Sequence, residues 1–240
     1  MTTDAPGQSR GELPTFLADT WWFGFTSRLP AEVFQSAARL RQAQGFTAIQ
    51  IVAGIPPEVG PSSPHAHSDV GLPWTPDGTF NDAYLELVRH RVSWLHDLGL
   101  RAVIYGAWGH QLAWLGVEGM TAWWQRLIDT LEDIAPLWCL TGELDLWIGR
   151  ERLLHPDGCT SAPPRRRVQL PPRWQLGMDR GLRRLGLRRR RAGWSQVLEA
   201  VAPRSKQPWL VHTSPWLRGV EAVTCPQWLA PDTLQTGHHP

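Results

Sequence analysis

Pro14-Thr-Phe-Leu-Ala-Asp-Thr-Trp-Trp-Phe-Gly-Phe-Thr26 is an apolar run that meets an acid, Asp19, and then a block of aromatic residues. The reading it invites is a buried strand over residues 16–18, with Asp19 at its C-terminal tip and Trp21 and Trp22 flooring a pocket just beyond. Later segments repeat this arrangement. Residues 46–53 form a β-branched-rich strand candidate, residues 100–105 a third that ends in Gly106-Ala-Trp-Gly-His110, and Leu137-Trp-Cys-Leu-Thr-Gly-Glu143 a fourth.

Helical patterns separate these strands. In residues 31–44, Val33, Phe34, Ala37, Ala38 and Leu40 recur at helical spacing, with Pro30 to start the helix and Gly45 to stop it. Residues 81–98 carry Leu85, Val88, Val92 and Leu95 as an inner stripe closed by Gly99, and residues 119–134 form a third helix. Strand and helix alternating four times argue for a parallel sheet. No glycine-rich phosphate fingerprint follows the first strand, which counts against a dinucleotide fold and favours an α/β, (β/α)8 TIM-barrel type.

Past Glu143 the pattern weakens. Residues 163–191 are rich in Arg and Pro and lack hydrophobic periodicity, so they read as an irregular insertion. A helix at 192–201, a fifth strand at 208–214 and a sixth at 232–238 follow. The expectation is therefore an incomplete barrel of about six βα units. It is one domain over residues 14–240, with a disordered tail at 1–13 and the insertion at about 155–191.

Composition limits the function classes. The chain has 240 residues and a formal net charge of +2, but 11 of its 24 Lys and Arg lie within 163–191 beside one acid, Asp179. Elsewhere 13 basic residues face 21 acidic ones, a balance of −8, so the basicity is local. That run could neutralise phosphates, yet Trp174 is its single stacking aromatic and no nucleic-acid module surrounds it, so no nucleic-acid partner is expected. Three cysteines without ligand spacing give neither a disulfide framework nor a zinc ribbon. With no apolar leader and no run of about 18 apolar residues, a cytoplasmic protein without a membrane partner is expected.

In a barrel, chemistry collects at the C-terminal ends of the strands. The residues falling there are Asp19, Trp21, Trp22, Gln50, Trp108, His110, Glu143, His212, Gln235 and His238. Glu143 stands out, because an apolar run delivers it to a tip behind the small residues Thr141 and Gly142; a carboxyl among tryptophans loses hydration, which disfavours its charged form. A solvated loop glutamate, or one paired with an arginine, is the plainer alternative. Asp19 could accept bonds from ligand hydroxyls or cap the turn after it. Trp21, Trp22, Trp74, Trp108 and Trp114 fall at or beyond strand ends, where flat apolar faces with an N–H at the rim suit sugar rings; Trp94, Trp123 and Trp138 read as core. His65-Ala-His67 could join Asp19 and His110 around a metal, but it lies in the Pro- and Gly-rich loop 54–80, away from the strand ends, so no metal or other cofactor is expected.

Five motifs in order carry a resemblance: Leu17-Ala-Asp-Thr-Trp-Trp22, Gly45-Phe-Thr-Ala-Ile-Gln-Ile51, Gly106-Ala-Trp-Gly109, Trp138-Cys-Leu-Thr-Gly-Glu143 and Leu234-Gln-Thr-Gly-His238. Together they are similar to the apiosidase-like TIM-barrel family of glycoside hydrolases, densely over residues 14–147 and again over 193–238. The resemblance implies hydrolysis of a glycosidic bond by two carboxyl groups, one at the fourth strand tip and one at a late tip, usually the seventh. Glu143 matches the first and would be the acid/base; Asp19, Trp22, Trp108, His110 and Gln235 would shape a carbohydrate subsite. The second carboxyl has no counterpart before Pro240, so the chain reads as truncated, with a frame disturbance near 163–191 as the expected cause. The alternatives are a non-catalytic carbohydrate-binding barrel fragment and, behind it, a metal-dependent hydrolase.

Overall fold

A computed structural model of the chain describes residues 17–57, 59–75, 77–145, 172–215 and 217–234, with side chains between 172 and 201 described from Leu185 onward. In chain order the elements are β1 (Ala18–Trp21), α1 (Ala31–Ala43), β2 (Ala48–Val52), α2 (Asp82–Asp97), β3 (Arg101–Tyr105), α3 (Leu112–Leu131), β4 (Leu137–Cys139), α4 (Pro172–Val201), β5 (Trp209–Leu210) and α5 (Gly219–Ala222). The strands form one parallel sheet in the order β1-β2-β3-β4-β5, with each strand beside its successor in the chain. Such a consecutive parallel array, with helices between strands, is the α/β wall of a TIM-type barrel, of which five strands lie among the described residues.

Strand alternation divides the apolar residues into two cores. Ala48, Val52, Val103, Tyr105, Leu137, Cys139 and Leu210 face the barrel interior, joined by Ala18 and Trp22. The intervening residues, Ile49, Ile51, Ala102, Ile104, Trp138 and Trp209, face the helices. There they meet Phe34 and Ala38 of α1, the Leu85, Val88, Val92 and Leu95 stripe of α2, and Trp123, Trp124 and Leu127 of α3. Helix ends follow from local chemistry. The Asn81 side chain accepts the Tyr84 N–H to open α2, and Gly99 ends that turn at φ +72°, a left-handed conformation that costs glycine little.

Four boundaries differ from the sequence reading. Strand β1 begins at Ala18 and runs through Trp21, so Asp19 is its second residue and not its tip, while Leu17 is 56% exposed. Helix α3 begins at Leu112, with a break at Gly116 (φ +69°), because residues 112–118 already coil before the regular helix expected from 119. Helix α4 begins at Pro172, not at 192, so the basic run from Arg173 is helical. Arg and Leu are good helix formers, and this propensity acts where hydrophobic periodicity is weak. Toward its end α4 becomes amphipathic and buries Trp194, Val197, Leu198 and Val201. Finally, residues 232–234 form no strand; the chain comes alongside β5 earlier, through a parallel bridge from Leu229 to Trp209. Among the described residues no helix is long and apolar enough to cross a membrane.

Candidate active site

Beyond the last paired residues of β3, β4 and β5 the chain stays extended for a few residues, and these extensions carry the site. Trp108 continues β3 and bridges in parallel to Gly142, which continues β4. The His212 N–H donates to the Thr141 carbonyl at 3.2 Å, so the segment after β5 follows the same course. Trp22 enters from the turn after β1. Arg91 of α2 anchors that turn by donating to the Gly24 carbonyl, while its guanidinium lies 5.0 Å from the Phe34 ring centroid.

Four rings meet over the interior core. Trp22 lies edge-on to Tyr105 and Trp108, at centroid distances of 5.0 and 5.2 Å, and stacks at 27° on His212. His212 is in turn edge-on to Tyr105 and Trp108. Tyr105 and Trp108 are buried behind the cluster, whereas Trp22, Gln50, Glu143 and His212 are half-exposed. The Tyr105 hydroxyl donates to Gln50 Oε1 at 2.6 Å. Burial pushes the Tyr105 phenol well above its ordinary value and the neighbouring Cys139 thiol up to about 12, so both stay neutral at physiological pH.

Glu143 joins this cluster through the Trp108 indole N–H, which donates to its Oε2 at 3.1 Å. Its backbone is left-handed at φ +48°, a conformation that a non-glycine residue holds only when its surroundings enforce it. Two glycines do so. A Cβ at Gly142 would lie 2.3 Å from the Trp108 ring, and one at Gly109 would lie 2.8 Å from the Glu143 carbonyl oxygen. The small residues before Glu143 thus let the indole lie flat against the strand tip and present its N–H to the carboxylate.

The structure therefore brings together Trp22, Gln50, Trp108, Glu143 and His212, and it sets other expected residues elsewhere. Asp19 points outward to the helix layer, where Arg41 Nε and the Trp21 indole donate to its Oδ2 at 2.5 and 2.8 Å. Partial burial pulls its pKa up, but these two bonds and the Thr20 N–H outweigh it and hold the carboxyl below its ordinary value. Trp21 shares the outward face and packs edge-on against Phe34 at 5.4 Å. His110 is buried, edge-on to Trp114 at 5.0 Å, and its Nε2 has no hydrogen-bond partner among the described residues. Trp74 is buried edge-on against Trp123. Gln235 and His238 lie outside the described residues.

Tyr105 was not among the expected site residues, although two-residue alternation from Val103 points it inward. Nor was the bond of Asp145 to Ser214, whose N–H donates to Oδ1 at 2.7 Å and whose hydroxyl donates to Oδ2. Among the described residues no three His, Cys, Asp or Glu side chains come together in a metal-holding group. His67 instead bonds the Pro61 carbonyl through Nε2 at 2.9 Å, and Asp19 is engaged by Arg41.

Comparison with known proteins identifies the family and the fold. The model of the apiosidase-like catalytic domain matches residues 8–240. The chain belongs to the apiosidase-like family. Two solved structures share its fold. One, a glycoside hydrolase family 5 protein from Bacteroides vulgatus, superposes with a TM-score of 0.62 at 12% identity, covering 95% of this chain and 41% of its own. The other, described as a glycoside hydrolase, gives a TM-score of 0.64 at 13% identity, covering 94% of this chain and 43% of its own. At such identities the likeness is one of fold, and this apiosidase-like chain spans about two-fifths of either structure's length. No curated protein matches it in sequence.

Proposed function

We propose that this apiosidase-like domain binds a carbohydrate against the ring cluster and cleaves its O-glycosidic bond, with Glu143 as the general acid/base. The observation that carries the reading is the Trp108 indole bonded to the Glu143 carboxylate at a strand tip among aromatic rings. An indole N–H can only donate, so it engages Oε2 as an acceptor and holds the carboxyl against the Trp108 ring, where it can serve as the acid that protonates the leaving oxygen. Trp22 offers a half-exposed face to the sugar ring, while Gln50 and His212 supply polar atoms for its hydroxyls.

Hydrolysis by this route uses a second carboxyl, about 5–5.5 Å from the first for retention or about 6.5–9.5 Å for inversion. The acid nearest along the chain, Asp145, has both oxygens bonded to Ser214. That observation supports a second reading, a carbohydrate-binding barrel without turnover. The two separate in one experiment on aryl glycosides and plant cell-wall oligosaccharides, following product release and tryptophan fluorescence in parallel. Turnover that is lost in Glu143→Gln supports the hydrolase. A sugar-dependent fluorescence change that is lost in Trp22→Ala, with no turnover by the parent chain, supports the binder. Neither response would overturn both readings.

A further inference from the structure

The β4 tip is held from three sides. Toward β3, the Gly142 N–H donates to the Ala107 carbonyl at 3.2 Å, and the Gly142 carbonyl accepts the Gly109 N–H at 2.8 Å. From α4, Arg190 donates to the Leu144 carbonyl at 3.3 Å. Toward β5, the Leu144 N–H donates to the His212 carbonyl at 3.2 Å, and two residues past Glu143 the Asp145 carboxylate receives both the N–H and the hydroxyl of Ser214. Ser214 is 4% exposed and Asp145 is half-buried, so this charge-assisted pair is partly sheltered from water and belongs to the stronger class of hydrogen bonds.

We propose that Asp145 is a positioning residue for the active site. By tying both its oxygens to Ser214 it fixes the tip of β4 to that of β5. It thereby sets where Glu143 meets the Trp108 indole and where His212 enters the ring cluster. The inference rests on the assignment of Glu143 as acid/base, since positioning matters only if that carboxyl reacts. Geometry supports it at each step. Glu143 holds a left-handed backbone that needs enforcement. Backbone ties to β3 and β5 fall on Gly142 and Leu144 either side of it, and Asp145 adds a carboxylate tie to the segment after β5. With both oxygens on Ser214, Asp145 is itself turned to structural use, which separates its role from that of a reacting group.

The test uses the full chain with Asp145→Asn, Ser214→Ala and Ser214→Thr. One readout is the Trp108 indole N–H resonance, assigned by its absence in Trp108→Phe; the other is kcat and KM on an aryl glycoside. Asp145→Asn is expected to move the resonance toward its position in Glu143→Ala. It should also lower kcat by roughly 10- to 100-fold while changing KM little, as misplacement by about 1 Å does. Ser214→Thr keeps both donors and should match the parent, and Ser214→Ala should fall between. A folded Asp145→Asn variant with an unmoved resonance and parental kcat overturns the proposal. If that variant does not fold, Ser214→Ala decides on the same two readouts. If the parent shows no hydrolysis, the acid/base reading fails separately, and the resonance alone decides whether Asp145 positions Glu143.

Discussion

His110 is expected to make this protein acid-sensitive. Burial removes its ring from water, and the nearby Arg190 guanidinium opposes a second positive charge, so its pKa falls from 6.5 to about 4. Between those values the unfolded chain binds the proton and the folded chain does not. Stability therefore rises with pH across this window and is lost as the pH falls through it. Integrating over the shift gives a loss of about 2 kcal/mol at pH 5 and about 3 kcal/mol at pH 4, relative to neutral pH. His110→Phe keeps a ring edge-on to Trp114 and removes the titration. Urea unfolding followed by tryptophan fluorescence at pH 7, 6, 5 and 4.5 measures the difference between the two proteins, in which the carboxylates common to both cancel. Wild type should lose stability relative to His110→Phe by about 2 kcal/mol between pH 7 and 5. Arg190→Met should flatten the wild-type profile less than His110→Phe does, because burial outweighs the guanidinium. Parallel pH profiles for wild type and His110→Phe would falsify this account of the histidine.

Other residues give sharper local tests. Gly142→Ala would set a methyl 2.3 Å from the Trp108 ring, so it should displace the indole and abolish sugar-dependent fluorescence, measured by titration with the best oligosaccharide ligand. An unchanged response would show that the ring does not lie against the tip. Asp19→Asn breaks an outward-facing ion pair with Arg41, so it should cost about 1 kcal/mol in urea unfolding and leave sugar binding unchanged. Loss of binding in that variant would return Asp19 to the site.

Much of the fold was legible because each helix carries its own signals. The Leu85, Val88, Val92 and Leu95 stripe is buried as its spacing predicts, and α1 and α2 stop at Gly45 and Gly99. Glu143, Trp108, Gln50 and His212 converge because parallel strands bring their C-terminal ends to one side. The facing of Asp19 and Trp21 was not legible. Strand side chains alternate with a period of two, and ending the strand at residue 18 hid that Asp19 and Trp21 lie within β1, on the face opposite to the inward Ala18 and Trp22. Helix α4 was obscured for another reason. Its first half lacks a repeating apolar stripe, and composition alone does not distinguish an irregular basic stretch from a basic helix. Asp145 and Ser214 are 69 residues apart, so no spacing rule connects them. Only the pairing of β4 with β5 brings them together.

The claim that Glu143 donates the proton is tested most directly by leaving-group dependence in Glu143→Gln. Glycosides of poor leaving groups need a protonating acid, and those of dinitrophenol need little help. The account predicts that kcat/KM falls by about 10²–10⁴-fold on an alkyl glycoside or oligosaccharide and far less on the dinitrophenyl glycoside of the same sugar. Equal losses on both substrates, or no loss on either, would contradict it.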